Sequence, residues 1–478
     1  MNLPLSGSPS LGSHCFGADD QRRFAALSGD VNPMHMDPVA ARRLITGRPV
    51  VHGIHTLLAA LERLPADAAG SAGAAPRIDC DFLNPVCVDD AVDFTRPEHD
   101  GEGLALRASV HGLECTRIIL RGPASALPAP GAAAPGVLEV PAQPIERAPE
   151  SWVGQVQQLP LPAADFAAAF PRSCALYGER RIAAIGLLSS YVGMVCPGLH
   201  SVFSSLVLEP GDAEATALRF QVLKYDPRFR LFVVAFDGCI RGQLKAFQRP
   251  PAQVQPAMAE LAPRLAADVF AGKRAWVLGG SRGLGELAAK LVATGGGEVV
   301  LTHAAGAADA QRVAGEINAS GRGGASTCAL DLLADDWTAR VADLPLPDVV
   351  FYFATPRIYR KKAGVFDAAL FDEFMTFYAR RFEALCMLLE QRAGERTVQV
   401  FVPSTVFISE RPKGMTEYTM AKAATEVLVA DLAKVLRRVR PVCERLPRLP
   451  TDQTTSVVPV RQESAVEVLL PLVQRLMN

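Results

Sequence analysis

The chain has 478 residues, and at roughly 150 residues per domain that length points to three domains and excludes a lone small module. Hydrophobic residues make up 49% and charged residues 21%, which excludes wholesale disorder. Lys plus Arg (49) nearly cancels Asp plus Glu (50), leaving a formal charge of −1, so no global field draws the chain to nucleic acid or an anionic membrane, and neither is expected as a partner.

The first 17 residues carry no lysine or arginine and no continuous apolar core, and no later stretch approaches the ~20 apolar residues of a membrane helix. The 10 cysteines form no CxxC pair and no zinc-type Cys/His spacing, as fits buried thiols in a reducing compartment. A soluble cytoplasmic protein without a metal site is expected. Composition breaks at Gly122–Glu150, which is Pro/Ala-rich (PASALPAPGAAAPG), and at Gln248–Gln255 (QRPPAQVQ). The expected division is therefore 1–121, a linker over 122–150, 151–247, a linker over 248–267, and 268–478.

In the first segment the informative stretch is Ser28-Gly-Asp30-Val-Asn32-Pro-Met-His35, followed by Asp37-Pro38 and a helical Val39–Leu44. Asp37 is a good N-cap and Pro38 a good first helical residue, which leaves Asp30 to His35 in an irregular loop feeding that helix. Such a loop aims one carboxylate and one imidazole at a common point, the minimum equipment for adding or removing water by general acid–base catalysis. Asn32 is placed to hold either group in register. Val50-Val51-His52-Gly53 then opens an apolar helix through Leu61, whose first backbone N–H groups are free to polarise a carbonyl. SGDVNPMH, with VVHG and with Asp81-Phe-Leu-Asn-Pro-Val-Cys-Val-Asp-Asp, resembles the signature of the R-specific enoyl-CoA hydratases, the MaoC-like branch of the hot-dog fold, over roughly residues 17–95. That resemblance implies that Asp30 and His35 jointly activate or release one water on a 2-enoyl/3-hydroxyacyl thioester. Asn32 and His52 then belong to the substrate site, with the Gly53 N–H as oxyanion donor.

The second segment reads as an apolar helix (Arg181–Val192), a β-like run His200–Leu208, and further strands between Phe220 and Phe247. This layout resembles a second hot dog, although it holds no Asp-x-Asn-Pro-x-His, so a structural and acyl-binding half is expected. His200, a lone histidine opening a β run, is expected to be packed or hydrogen-bonded and not catalytic.

The third segment alternates strands and helices in the rhythm of a doubly wound parallel sheet. Gly279-Gly-Ser281-Arg282-Gly283-Leu284-Gly285 follows a strand and opens a helix, a spacing that lets backbone N–H groups approach a pyrophosphate at a helix N-terminus. The next strand ends Thr302-His303 without an acid to hold a ribose 2′-hydroxyl, and Arg282 stands in the loop, so NADP(H) is favoured over NAD(H). Tyr418 and Lys422, four residues apart on a long helix, share one face, and a nearby cation is expected to lower the phenol pKa. Ser404 and Thr405 end the strand Val398–Val402. This constellation resembles the short-chain dehydrogenase/reductase family over almost all of 272–478. The resemblance implies that Tyr418 transfers the proton, Lys422 holds the ribose, and a hydroxyl from Ser404 or Thr405 binds the substrate oxygen. Asp331 then contacts adenine and Ala354 lies beside the nicotinamide ribose. Two departures stand out: Tyr378 replaces the family's helix Asn, and Leu446-Pro-Arg-Leu-Pro-Thr451 replaces its Pro-Gly.

The fold class expected is an α+β double hot dog followed by an α/β Rossmann-type doubly wound parallel sheet. The two chemistries share an intermediate, so the expected function is a bifunctional 3-oxoacyl thioester reductase and (R)-3-hydroxyacyl thioester dehydratase in fatty-acyl or polyketide-like synthesis. The alternatives are the reverse pair in acyl degradation and a non-catalytic acyl-carrier-binding scaffold. The expected partners are the acyl thioester of an acyl carrier protein or coenzyme A and a second copy of the chain in a homodimer. Two basic clusters are candidates for carrier docking. The first, Arg357, Arg360, Lys361 and Lys362, is favoured over Lys434, Arg437, Arg438 and Arg440.

Overall fold

The computed structural model describes residues 9–64, 75–97, 103–122, 127–360, 362, 364–453 and 462–478. They fall into two compact units, one formed by residues up to 251 and the other by almost all residues from 252 onward. Among the described residues no helix is long and apolar enough to cross a membrane.

Eleven strands build one sheet in the first unit: β1 (Ser10–Cys15), β2 (Arg77–Phe82), β3 (Ala91–Thr95), β4 (Leu104–Val110), β5 (Leu113–Arg121), β6 (Gly136–Val137), β7 (Val156–Pro160), β8 (Ser201–Pro210), β9 (Ala217–Asp226), β10 (Leu231–Asp237) and β11 (Ile240–Gln248). Their order is β1-β3-β4-β5-β2-β8-β11-β10-β9-β7-β6. The two halves of this unit therefore meet at the antiparallel pair β2–β8, with Ile78 opposite Leu208 and Cys80 opposite Leu206. Alternation sets the inner face: Leu218, Phe220 and Val222 of β9 are fully buried while Arg219 and Gln221 between them are not. Against that face lie two apolar helices, Gly53–Leu61 and Glu179–Ser190, which pack on each other and share one core. The second helix continues as a wider π turn, Tyr191–Val195.

The segment expected as a linker over 122–150 is fastened down in its described latter part. Ile145 donates to Met194 O (2.8 Å) and accepts from Leu199 N (3.1 Å), and Leu138, Val140 and Ile145 pack on the core. Its prolines keep it extended, as the composition implies, and its few apolar residues find the sheet unit beside them. The second expected linker, 248–267, also ends early, because Met258 and Leu261 of the helical turn Met258–Leu261 are buried in the core of the second unit.

The second unit holds six parallel strands, β12 (Arg274–Leu278), β13 (Glu298–His303), β14 (Gly324–Ala329), β15 (Val349–Tyr352), β16 (Val398–Thr405) and β17 (Val439–Leu446). Their order, β14-β13-β12-β15-β16-β17, is that of a doubly wound Rossmann-type sheet, with the switch point between β12 and β15. Ala275, Trp276, Val277 and Leu278 are all buried because separate cores cover both faces. The carboxyl ends of β12, β15 and β16 carry the glycine turn, Ala354, and the pair Ser404 and Thr405.

Candidate active sites

In the first unit the helix Ala18–Ser28 stops at Gly29, whose φ of 82° is the left-handed conformation that favours glycine, and the reversal turns Asp30 into the core. The Asn32 side chain accepts from Met34 N (3.1 Å) and so starts a one-turn helix, Pro33–Met36. The stretch expected to be an irregular loop is thus partly helical, and that turn fixes His35. The next helix is capped by Asp37, which accepts from Val39 N (2.7 Å).

Asp30 is buried, with Oδ2 accepting from Ser189 Oγ (2.7 Å) and Oδ1 from Asn32 N (3.2 Å). Burial pushes its pKa above the usual carboxylate value, against the opposing pull of His35 and these two donors. His35 donates from Nδ1 to Val50 O (2.6 Å), which leaves Nε2 as its basic nitrogen. Burial lowers the His35 pKa, with Asp30 opposing the shift, so the ring is disposed to act as a neutral base. Asn32 is tied to the second half of the unit, donating from Nδ2 to Gly193 O (2.7 Å) and Gly198 O (3.2 Å).

His52, expected at the substrate, is instead fully buried beneath His35, with ring centroids 3.9 Å apart. Its nitrogens lie 2.9 Å from Gln21 Oε1 and 3.0 Å from the Asp30 carbonyl oxygen, so it positions the catalytic loop and has no free face. Asp30, His35 and His52 bring potential ligand atoms within 4.8 Å of one another, but the commitments of both His52 nitrogens leave too few donors for a metal ion. Gly53 opens the central helix, where the first amides have no intrahelical acceptor. A Cβ at Gly53 would sit 3.0 Å from the Phe82 ring, which would have to shift to admit a larger residue.

In the second unit, Gly279 has a φ of +80°, and a side chain there would meet Ala354 N at 2.9 Å. Gly279 N donates to Thr302 Oγ1 (3.2 Å) and Gly280 N to Thr302 O (3.1 Å), so Thr302, expected at the cofactor, is buried behind the turn and braces it. The helix Gly283–Thr294 starts directly after the turn. A Cβ at Gly283 would meet nothing closer than Thr451 Cγ2 at 4.0 Å, so there is open space beside the start of this helix, where a pyrophosphate is favoured. Ser281 is buried in the turn, Leu284 packs partly against the core, and Ala354 is half-buried. Arg282 is drawn to Asp452, with Nη1 3.3 Å from Oδ2, so a 2′-phosphate has to compete with that carboxylate. Asp331 is exposed and caps its own turn through Leu333 N (2.9 Å).

Tyr418 and Lys422 lie on the helix Thr416–Val435. Lys422 donates to Pro403 O (2.7 Å) and stands over the Tyr378 ring, 3.7 Å from its centroid, but 5.9 Å from that of Tyr418. The expected lowering of the Tyr418 pKa by Lys422 is not found. Burial pushes the phenol up to about 12, partly offset by a hydrogen bond with Thr405, and burial pulls the Lys422 ammonium down to about 7. Ser404 Oγ turns away to Glu426 Oε1 (2.5 Å), which Arg445 holds from its other side. The hydroxyl beside Tyr418 is therefore that of Thr405. Of the first basic cluster, Arg360 pairs with Glu373 (2.5 Å) and Lys361 lies outside the described residues; in the second, Lys434 pairs with Asp431 (2.7 Å).

Residues 9–107 match the family model described as MaoC like domain. This segment is a MaoC-like domain. The chain is also similar to the (R)-specific enoyl-CoA hydratase of Aeromonas caviae, with 52% identity over 46 residues, which is 10% of this chain and 33% of that protein. The aligned part thus spans about a third of the relative's length. Among solved structures, a putative short chain dehydrogenase from Pseudomonas syringae aligns with a TM-score of 0.40 at 21% identity, over 45% of this chain and 92% of that one. A 3-oxoacyl (acyl-carrier-protein) reductase from Agrobacterium tumefaciens with NADP bound aligns with a TM-score of 0.35 at 20% identity, over 39% and 74%.

The MaoC-like domain does not complete its own site, and three contributors were missed in the sequence. Ser189 donates to Asp30, Ser190 donates to Ser28 O, and the π turn lays Gly193 against the Asp30 carboxylate. The signal was there, since two adjacent hydroxyls in an otherwise apolar helix need buried partners. Gly193→Ala puts a methyl 2.6 Å from Asp30 Oδ2. A displacement of about 1 Å at a reacting group costs on the order of 10²-fold in rate, so turnover of whatever reaction Asp30 serves is expected to fall by about that factor in steady-state kinetics. Thermal unfolding is expected to show a core overpacking loss of about 1–3 kcal/mol.

Proposed function

We propose that the chain is a bifunctional enzyme that reduces a 3-oxoacyl thioester to the (R)-3-hydroxyacyl thioester and interconverts that product with the 2-enoyl thioester. The observation that supports the reading is the placement of Asp30 and His35 with their ligand atoms within 4.8 Å of each other, while Val50 O takes up His35 Nδ1 and leaves Nε2 for the substrate side. On the enoyl thioester, Asp30 and His35 hold one water between them. Its oxygen adds to C3 and one of its protons is delivered to C2, while the Gly53 N–H polarises the thioester carbonyl. Dehydration reverses these transfers. We read residues 151–247 as a second hot-dog half without its own acid–base pair, retained because it supplies Ser189 and Gly193 to the first.

The glycine turn, the open space beside Gly283 and the end of β13 fit a dinucleotide. Such a nucleotide supplies the hydride for carbonyl reduction. Thr405 and Tyr418 hold the carbonyl oxygen, and Tyr418 gives it the proton. Lys422 stands behind them with its ammonium shared between Pro403 O and the Tyr378 ring. No acid ends β13, where His303 leaves Nδ1 without a partner, so NADPH is the preferred nucleotide. Nucleotide titrations are expected to show NADPH bound at least about tenfold more tightly than NADH, the worth of one charge-assisted contact, with Arg282→Ala removing most of that margin. Equal dissociation constants would refute the cofactor assignment. The hydratase assignment is tested by chiral analysis of hydrated crotonyl thioester, expected to be the (R)-3-hydroxybutyryl product; the (S) product would overturn it.

A further inference from the structure

A cleft of about 320 Å³ opens in the first unit, lined by Glu146, Arg147, His200, Arg230, Gln248 and Arg249. Three arginines and a histidine line it with one carboxylate; that carboxylate, Glu146, is bonded to His200 Nε2 (3.0 Å), while the Arg147 guanidinium lies over the Trp152 ring, 4.6 Å from its centroid. Among the described residues none of Arg147, Arg230 and Arg249 has a carboxylate at ion-pair distance. Arg249 is the sharpest case. Its Nη2 donates to Leu199 O (2.9 Å), its Nε is buried without a partner, and burial with no compensating charge pulls the guanidinium down to about 10. His200 Nδ1 is likewise buried and unpartnered. A buried cation and two orphaned polar atoms are costly unless an anion completes them.

The cleft adjoins the catalytic loop. Leu199 O, which accepts from Arg249, is 3.5 Å from Asn32 Nδ2, and Arg249 acts electrostatically on His35. Whether its carrier is coenzyme A or a protein, an acyl thioester approaching Asp30 and His35 brings a phosphate ester at the end of its pantetheine arm. We infer that this cleft binds that phosphate ester, which coenzyme A and a carrier protein share; the inference rests on the thioester hydratase reading above. Arg230 and Arg249 supply donors, His200 a further N–H, and the site ranks carriers by phosphate and not by acyl chain.

The test compares crotonyl thioesters of pantetheine, 4′-phosphopantetheine and coenzyme A. Wild-type enzyme is expected to show a KM for the two phosphorylated thioesters at least about tenfold below that for crotonyl-pantetheine, with similar kcat, as the loss of a charge-assisted hydrogen bond implies. Arg230→Asn tests the site directly. Arg230 has a φ of 51°, which asparagine tolerates, so this variant is expected to fold. It is expected to raise KM for the phosphorylated thioesters several-fold with kcat unchanged. A gain confined to the coenzyme A thioester assigns the cleft to nucleotide phosphates, whereas a gain already present with 4′-phosphopantetheine assigns it to the shared group. Equal KM for all three thioesters in wild type, or the same rise for all three in the variant, would overturn the proposal. Calorimetric titration of free coenzyme A into wild type and Arg230→Asn reads the cleft without turnover. A protein that binds coenzyme A through Arg230 but hydrates no thioester would refute the hydratase reading and leave the anion site standing.

Discussion

Asp30→Asn or His35→Ala is expected to lower hydration of a short 2-enoyl thioester by about 10²–10⁴-fold while NADPH-dependent ketoreduction stays near the wild-type rate. In the proposed hydration the two groups hold one water between them, and each is fixed by partners that the other does not share. Asp30 is set by Ser189 Oγ and Asn32 N, and His35 by Val50 O. An amide at position 30 faces both donors with an NH₂ on one side, so the Asn variant is to be checked for folding by thermal unfolding before its rate is read. The residues of the proposed reductase site sit on a separate parallel sheet with its own cores. A folded variant that lost both activities together would show that the sites are not independent.

The second large effect belongs to the reductase. Tyr418→Phe is expected to reduce ketoreduction by about 10²–10⁴-fold, because the proton donor is lost while the ring remains. Thr405→Ala is expected to cost heavily too, whereas Ser404→Ala is expected to leave turnover within a fewfold of wild type. Adjacent residues on a strand point to opposite faces, and only Thr405 reaches Tyr418, while Ser404 serves the Glu426–Arg445 pair. Steady-state rates with acetoacetyl thioester check all three, and a Ser404→Ala loss as large as that of Thr405→Ala would contradict the assignment.

That choice between hydroxyls shows what the sequence carries. The glycine turn, the Asp37 cap and the Tyr418–Lys422 spacing are local chemistry, readable where they stand. The facing of Ser404 and Thr405 depends on which core each meets, and the chain around them holds no record of it. Ser189 and Gly193 are farther from view, since Ser189 is separated from Asp30 by 159 positions and joins it only when the helix Ala18–Ser28 packs on Glu179–Ser190. His52 misled because a histidine beside a glycine-opened helix reads as a ligand-facing group, and the packing of Gln21 behind it is tertiary. The reading of Lys422 as the cation that acidifies Tyr418 failed on magnitude, because desolvation of a fully buried phenol outweighs an ammonium directed at another ring. The Pro/Ala-rich stretch before residue 150 was legible as extended chain, but its fastening to Met194 and Leu199 rests on backbone groups that composition does not describe.

The most direct test is incubation of the wild-type chain with NADPH and an acetoacetyl thioester, following nucleotide oxidation and identifying products by mass. The account predicts stoichiometric NADPH consumption and a mixture of 3-hydroxybutyryl and crotonyl thioesters, the crotonyl component vanishing in Asp30→Asn and both vanishing in Tyr418→Phe. Nucleotide consumption without crotonyl thioester, or no consumption at all, would contradict it.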